Sequence, residues 1–227
     1  MVFLILRKTY INHLIISFLM KSILAFGDSI TFGRGVFPSK GWANRLKEYF
    51  ESKDFYNVLY NLGIPGDSST DLLKRFETET KSRVQYYSPD NKFVILIAIG
   101  TNDSRGLGVS DNIQTNPKDY EENICKLVDI AKTHTKEVVI IGLSPVDETL
   151  MPFEDTYFSN NRIEQFNKIL EKIAQDNNLL FCDIYSGFKN KKNYHKLLVD
   201  GIHPNDEGYK LMYEIIKSFL IENKLIK

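Results

Sequence analysis

Asp200 and His203 stand three residues apart in the string Asp200-Gly201-Ile202-His203-Pro204. At the entrance to a helix, such a pair lies on one side of a turn and can point the same way. The carboxylate can then hold one imidazole nitrogen protonated while the other nitrogen faces a serine hydroxyl, which is what a general base needs. A serine is offered by Gly27-Asp28-Ser29-Ile30-Thr31. By itself this motif has three readings: a nucleophile, a Ser/Thr/Gly loop that cradles phosphate, or an Asp and a Ser that cap a helix. Gly63-Ile64-Pro65-Gly66-Asp67-Ser68-Ser69 adds glycines that let a backbone N–H approach a reacting atom, or that simply make a turn. Gly100-Thr101-Asn102-Asp103 adds an amide that can donate to developing negative charge, although Asn and Asp also favour turns. The remaining histidines are set aside. His13 lies in an oily N-terminal stretch, His134 follows a polar helix end, and His195 sits in the lysine-rich segment 189–196, a solvated surface loop.

These four motifs need a frame, and the hydropathy pattern supplies one. Short aliphatic runs at 22–26, 57–62, 93–99, 138–143 and 179–184 are bounded mostly by Gly, Pro, Asp or Asn. Near-continuous apolar runs of that length suit strands buried on both faces. Amphipathic helical patterns lie between them at 41–52, 69–84, 117–133, 161–177 and 204–223. Five strands alternating with helices predict one α/β domain: a three-layer α/β/α sandwich around a five-stranded parallel sheet. Ligands of such sheets sit beyond the carboxyl ends of the strands, and each of the first three motifs directly follows an apolar run.

Composition excludes several classes. Lys+Arg and Asp+Glu balance at 29 each, which argues against a nucleic-acid binder, normally basic on at least one face. Globular fractions of hydrophobic (43%) and charged (26%) residues over 227 positions argue against disorder and coiled coil. Cys125 and Cys182 have neither CxxC nor zinc spacing, so they read as small buried hydrophobes of a reducing compartment. Residues 1–20 are apolar, but Arg7 and Lys8 interrupt them, leaving less than the roughly 20 residues that a membrane span needs. We expect Met20 to be the natural start, with a domain at 21–227 in the cytoplasm. The alternative is an export signal or membrane-surface anchor at 1–20.

Taken together and in order, the four motifs resemble the SGNH or GDSL hydrolase family, named for its Ser, Gly, Asn and His. Gly27-Asp28-Ser29-Ile30 resembles the first block, with Ile30 where the family name has Leu. Asn61-Leu62-Gly63-Ile64-Pro65-Gly66-Asp67 matches the second, Gly100-Thr101-Asn102-Asp103 the third and Asp200-Gly201-Ile202-His203-Pro204 the last. The resemblance implies a flavodoxin-like sheet and a serine hydrolase that needs neither metal nor cofactor. It implies Ser29 as nucleophile, His203 as base and Asp200 as its orienting partner. It also implies oxyanion donors at the Ser29 N–H, the Gly66 N–H and the Asn102 side chain. The expected substrate is a small-molecule ester or thioester with a small or medium acyl group. An acyltransferase using the same residues and a flavodoxin-like phosphate or nucleotide binder are the rival readings.

Two segments at the active end, 104–116 and 144–157, read as long insertions, the first polar and flexible. Met151, Phe153, Tyr157 and nearby Phe158 in or beside the second could wall an acyl pocket or simply pack the loop onto the domain.

Overall fold

The computed structural model describes residues 21–38, 40–84 and 92–227. The expectations for residues 1–20, His13 and the start at Met20 lie outside them.

Five strands form one parallel sheet: β1 (Lys21–Gly27), β2 (Val58–Gly63), β3 (Lys92–Ala98), β5 (Glu137–Ile141) and β7 (Leu180–Cys182), in the order β2-β1-β3-β5-β7. The alternation predicts the five parallel strands, and their order is the doubly wound, flavodoxin-like one that the family resemblance implies. Because successive side chains of a strand point to opposite faces, each strand feeds two cores. Leu24, Phe26, Ile95, Ile97, Val138 and Ile140 face one side. There they meet helices α3 (Ser69–Val84), α4 (Pro117–His134) and α5 (Asn160–Asp176). Ile23, Ala25, Val94, Leu96, Val139 and Ile141 face the other side. They pack on α2 (Trp42–Glu51), α6 (Ile184–Lys189) and α7 (Asp206–Glu222). Fully burying one such aliphatic side chain contributes about 1.5–3 kcal/mol, so the two cores hold the sheet rigid and with it the loops at its carboxyl edge.

The boundaries shift where capping chemistry competes with apolar patterning. The apolar run at 179–184 is a strand only to Cys182. Asp183 accepts from the Ser186 N–H (3.0 Å) and starts α6, so Ile184 is helical. The last helix starts at Asp206, because Asn205 caps it through the Gly208 N–H (3.0 Å) and Pro204 bridges back to Leu198. A four-residue helix, α1 (Ser29–Phe32), is too short to show periodicity and has no counterpart in the sequence pattern.

The two long segments do not stand apart. A short antiparallel pair, β4 (Gly106–Leu107) with β6 (Thr156–Tyr157), joins them. Arg162 of α5 donates to the carbonyls of Ser110 and Tyr157 and ties both down. The expected flexible loop 104–116 is therefore anchored. None of the described helices is long and apolar enough to cross a membrane.

Candidate active site

The first motif folds as it does because Gly27 ends β1 without a side chain. A Cβ there would stand 2.1 Å from Thr31 Oγ1 and 2.5 Å from the Ala98 carbonyl. Asp28 caps α1, accepting from the Ile30 N–H at 2.9 Å, and Gly33 ends the helix in the left-handed region (φ 101°). This single turn presents Ser29, 8% exposed, at the carboxyl edge of the sheet. As the first residue of the helix, its N–H has no partner inside α1. Burial pushes the Asp28 carboxyl up to about 7; the Ile30 N–H and His203 oppose that shift, and nearby Asp103 adds to it.

In the last motif the bonds that orient the imidazole are local, while the Asp147 N–H holds the turn from outside by donating to the Gly201 carbonyl (2.8 Å). Asp200 Oδ1 accepts from the N–H groups of Ile202 (3.0 Å) and His203 (2.8 Å), and Oδ2 lies 2.7 Å from His203 Nδ1. The half-buried Asp200 carboxyl would rise through desolvation, but its bonds to His203 outweigh that and hold it below the ordinary carboxylate range. A carboxylate offers no proton, so Nδ1 carries one and Nε2 is left as acceptor. Ser29 Oγ lies 2.9 Å from that Nε2, across 174 residues of sequence. Gly35 makes the approach possible. At φ 100°, a Cβ there would come within 2.8 Å of the Pro204 carbonyl and 3.2 Å of His203 Cβ.

The two middle motifs complete the cleft. Gly66 lines it at φ 89° with open space around it, whereas at Gly63 a Cβ would meet the Phe32 N at 2.3 Å and the Asp28 carbonyl at 2.7 Å. Gly63 thus seats α1 on β2, and Gly66 faces the cleft. Asn102 donates one amide hydrogen to the Asp67 carbonyl (2.9 Å), and its Oδ1 lies 3.4 Å from Arg105 Nη1. The other amide hydrogen remains for the cleft. Ser29, Gly66, Asn102, Asp200 and His203 all line one opening of about 440 Å³. Leu107, Phe153, Phe158 and Ile202 form its apolar part. The Phe153 ring and the His203 imidazole stand in a T-shaped arrangement (centroids 6.4 Å apart, 74° between planes). Met151 packs against the core instead, so the second loop does both of the things its sequence allowed.

Two residues hold these loops in place: Arg75, which no motif marks, and Asp103, which the third motif contains without an assigned role. Arg75 on α3 pairs with Asp67 (2.8 Å) and donates to the Gly27 (3.2 Å) and Leu62 (2.9 Å) carbonyls, fastening the Gly66 loop to the ends of β1 and β2. Asp103 accepts from the Ser69 N–H (2.8 Å) and hydroxyl (2.6 Å), joining the Asn102 loop to the start of α3. Burial pushes the Asp103 carboxyl upward against those bonds. Arg34 and Arg105 also line the cleft. His195 is exposed, and His134 lies at the end of α4, its basicity lowered by burial.

The family model described as the GDSL-like lipase/acylhydrolase family matches residues 25–211, which span all four motifs. The chain belongs to that family. It is 26% identical over 223 residues to a multidomain esterase of Ruminococcus flavefaciens, a match that takes in 84% of this chain and 27% of that protein. The chain thus spans about a quarter of the length of that relative. It is 23% identical over 186 residues to esterase TesA of Pseudomonas aeruginosa, covering 81% of this chain and 80% of that one. Its fold is shared by a lipase/acylhydrolase from Enterococcus faecalis (TM-score 0.72, 22% identity, 92% and 98% of the two chains). It is also shared by Axe2, an acetylxylan esterase from Geobacillus stearothermophilus (TM-score 0.71, 19% identity, 89% and 96%).

Proposed function

We propose that this GDSL-type chain is a metal-independent serine hydrolase that cleaves carboxylic esters or thioesters of small or medium acyl groups through an acyl-serine intermediate. The observation that carries the proposal is the unbroken line from Ser29 Oγ to His203 Nε2 (2.9 Å) and from His203 Nδ1 to Asp200 (2.7 Å), opening into a cleft. His203 takes the Ser29 proton as Oγ bonds to the substrate carbonyl carbon. The carbonyl oxygen becomes an oxyanion and is met by the Ser29 N–H, the Gly66 N–H and the free Asn102 amide hydrogen. His203 then gives its proton to the departing alcohol or thiol. Water, deprotonated by the same imidazole, attacks the acyl-Ser29 ester and returns the serine. Asp200 stabilises the imidazolium in both halves without itself being protonated, in keeping with its depressed pKa.

The apolar part of the cleft, Leu107, Phe153, Phe158 and Ile202, supports a short or medium acyl chain. We take residues 21–227 as the catalytic unit. Its two unpaired cysteines suit the reducing cytoplasm. The phosphate-binding reading of the Ser29 loop gives His203 and Asp200 nothing to do.

Hydrolysis of p-nitrophenyl acetate, butyrate and octanoate by wild type beside Ser29→Ala tests the proposal. Activity that vanishes in the variant is expected, with the shorter chains preferred. Equal rates in the two proteins overturn it. The same assay with an added alcohol, followed by product analysis, separates hydrolysis from acyl transfer.

A further inference from the structure

The arginines of the described residues fall into two groups. Arg45 pairs with Asp206, Arg75 with Asp67 and Glu79, and Arg83 with Glu79. Arg162 spends its fork on two backbone carbonyls. Arg34 and Arg105 make no ion pair among the described residues and, unlike Arg162, line the cleft beside Ser29.

Both are also rooted in the catalytic framework. The Arg34 N–H donates to the Ser29 carbonyl (2.9 Å), and its own carbonyl accepts from the buried Tyr209 hydroxyl (2.6 Å). Its side chain therefore springs from the same turn as the serine. Arg105 gives Nε to Gln114 (2.6 Å), while Nη1 lies near Asn102 Oδ1 (3.4 Å). Its guanidinium is held in place with donors to spare. Two carboxylates share the cleft. Asp200 is already met by two backbone N–H groups and the His203 imidazole, and Glu154 sits exposed at the rim on a positive-φ turn (44°).

We propose that the ester hydrolysed here carries an anionic oxygen group, a carboxylate or a phosphate, and that Arg34 and Arg105 bind it while Ser29 attacks the ester carbonyl. This rests on the reading of Ser29 as nucleophile. A guanidinium fork matches either anion with two parallel hydrogen bonds. The Arg105 guanidinium is already held before substrate arrives, so little ordering of that side chain opposes binding, while the exposed Arg34 side chain is anchored through its backbone and closes on the anion as it binds.

The test compares charged and neutral partners of one reaction. The acetate esters of 4-hydroxybenzoate and of 4-hydroxyphenyl phosphate are hydrolysed beside that of neutral 4-hydroxybenzamide. Mono-p-nitrophenyl adipate is hydrolysed beside p-nitrophenyl hexanoate, which places the charge on the acyl side. The readout is the charged-to-neutral ratio of kcat/KM in wild type, Arg34→Gln, Arg105→Gln and Arg34→Lys. In at least one pair the ratio is expected to fall about tenfold in each Gln variant, chiefly through KM, and to fall less in the Lys variant. In wild type it should shrink as salt rises. A disturbance of Asn102 in Arg105→Gln slows both members of a pair alike and leaves the ratio unmoved. A preference confined to the carboxylate esters or to the phosphate ester identifies the anion. A ratio that is the same in wild type and both Gln variants, in every pair, overturns the proposal. Ser29→Ala is run on the same esters; activity surviving there overturns the nucleophile reading instead.

Discussion

The base side and the oxyanion side of the cleft are built by different means. Asp200 and His203 are three residues apart, and every bond that aims the imidazole, apart from the one to Ser29, lies inside that turn. Gly66 and Asn102 belong to loops after different strands. They meet through the Asn102–Asp67 bond, the Asp103–Ser69 bonds and the Arg75 side chain, which reaches two strand ends. One half orients its base through bonds inside a local turn, docked on the neighbouring loop by the Asp147 N–H to Gly201 carbonyl bond (2.8 Å). The other exists only once β1, β2 and β3 lie side by side. Damage to supporting residues should therefore spread on the oxyanion side and stay confined on the base side.

The largest expected effect comes from breaking the line that joins the halves. Ser29→Ala and His203→Ala should each reduce kcat on the order of 10⁵–10⁶-fold, and the double variant should be hardly worse, because the residues act as a unit. Steady-state kinetics on p-nitrophenyl acetate measures this, and additive losses would show that the two act separately. Next comes Asn102→Ala, expected to cost about 10²–10³-fold in kcat with the fold intact by circular dichroism. Near-wild-type turnover would remove Asn102 from the oxyanion site.

Arg75→Ala sharpens the comparison. It strips Asp67 of its partner and leaves the Gly27 and Leu62 carbonyls short of a donor, so it should lower stability by about 1–3 kcal/mol in urea unfolding and lower kcat as well. A stability loss with unchanged kcat would mean that the Gly66 loop holds its position without Arg75. A smaller change is expected from Phe153→Ala, which opens the wall beside His203. The preference among acetate, butyrate and octanoate esters should shift by up to about tenfold toward the longer chains.

The two acids nearest the reacting groups should act on stability in opposite directions. In the fold Asp28 keeps its proton up to about pH 7, whereas the unfolded chain releases it near the ordinary 3.8. The native state therefore binds more protons across that window, and Asp28 makes stability fall as pH rises from about 4 to about 7, with no further change above. Asp200, held low, contributes stability that is present at neutral pH and lost as pH falls through its folded value. Asp28→Asn retains a capping side chain and should gain on wild type as pH rises through that window, read as Tm against pH. A Tm difference that does not change with pH would mean that Asp28 is ionised in the fold.

Legibility in the sequence followed the range of the interactions. The amphipathic pattern at 69–84 is the helix Ser69–Val84 to the residue, with Leu72 and Phe76 of its apolar stripe buried in the core. The apolar run at 179–184 and the helical pattern at 204–223 overrun the strand and the helix they contain, because Asp183 and Asn205 cap helices inside continuous patterns. Ser29, Gly66, Asn102, Asp200 and His203 could be singled out one by one, since each sits in a short motif, and the structure brings all five to one opening. Arg34, Arg75 and Arg105 carried no such mark. An arginine in a loop or on a helix reads as a solvated charge until the surface opposite it is known.

The alternation of strands and helices, the two-sided burial of the sheet and the Asp200–His203 pairing follow from the residue order alone, because they depend on periodicity or on contacts between near neighbours. It took the assembled fold to bring Ser29 within hydrogen-bond reach of His203, to close two loops into one wall through β4 and β6, and to set Arg34 and Arg105, without an ion pair among the described residues, on the same cleft. Those contacts join segments far apart in the chain. What brings them together is the order of strands in the sheet, set by how all five bury their two faces at once.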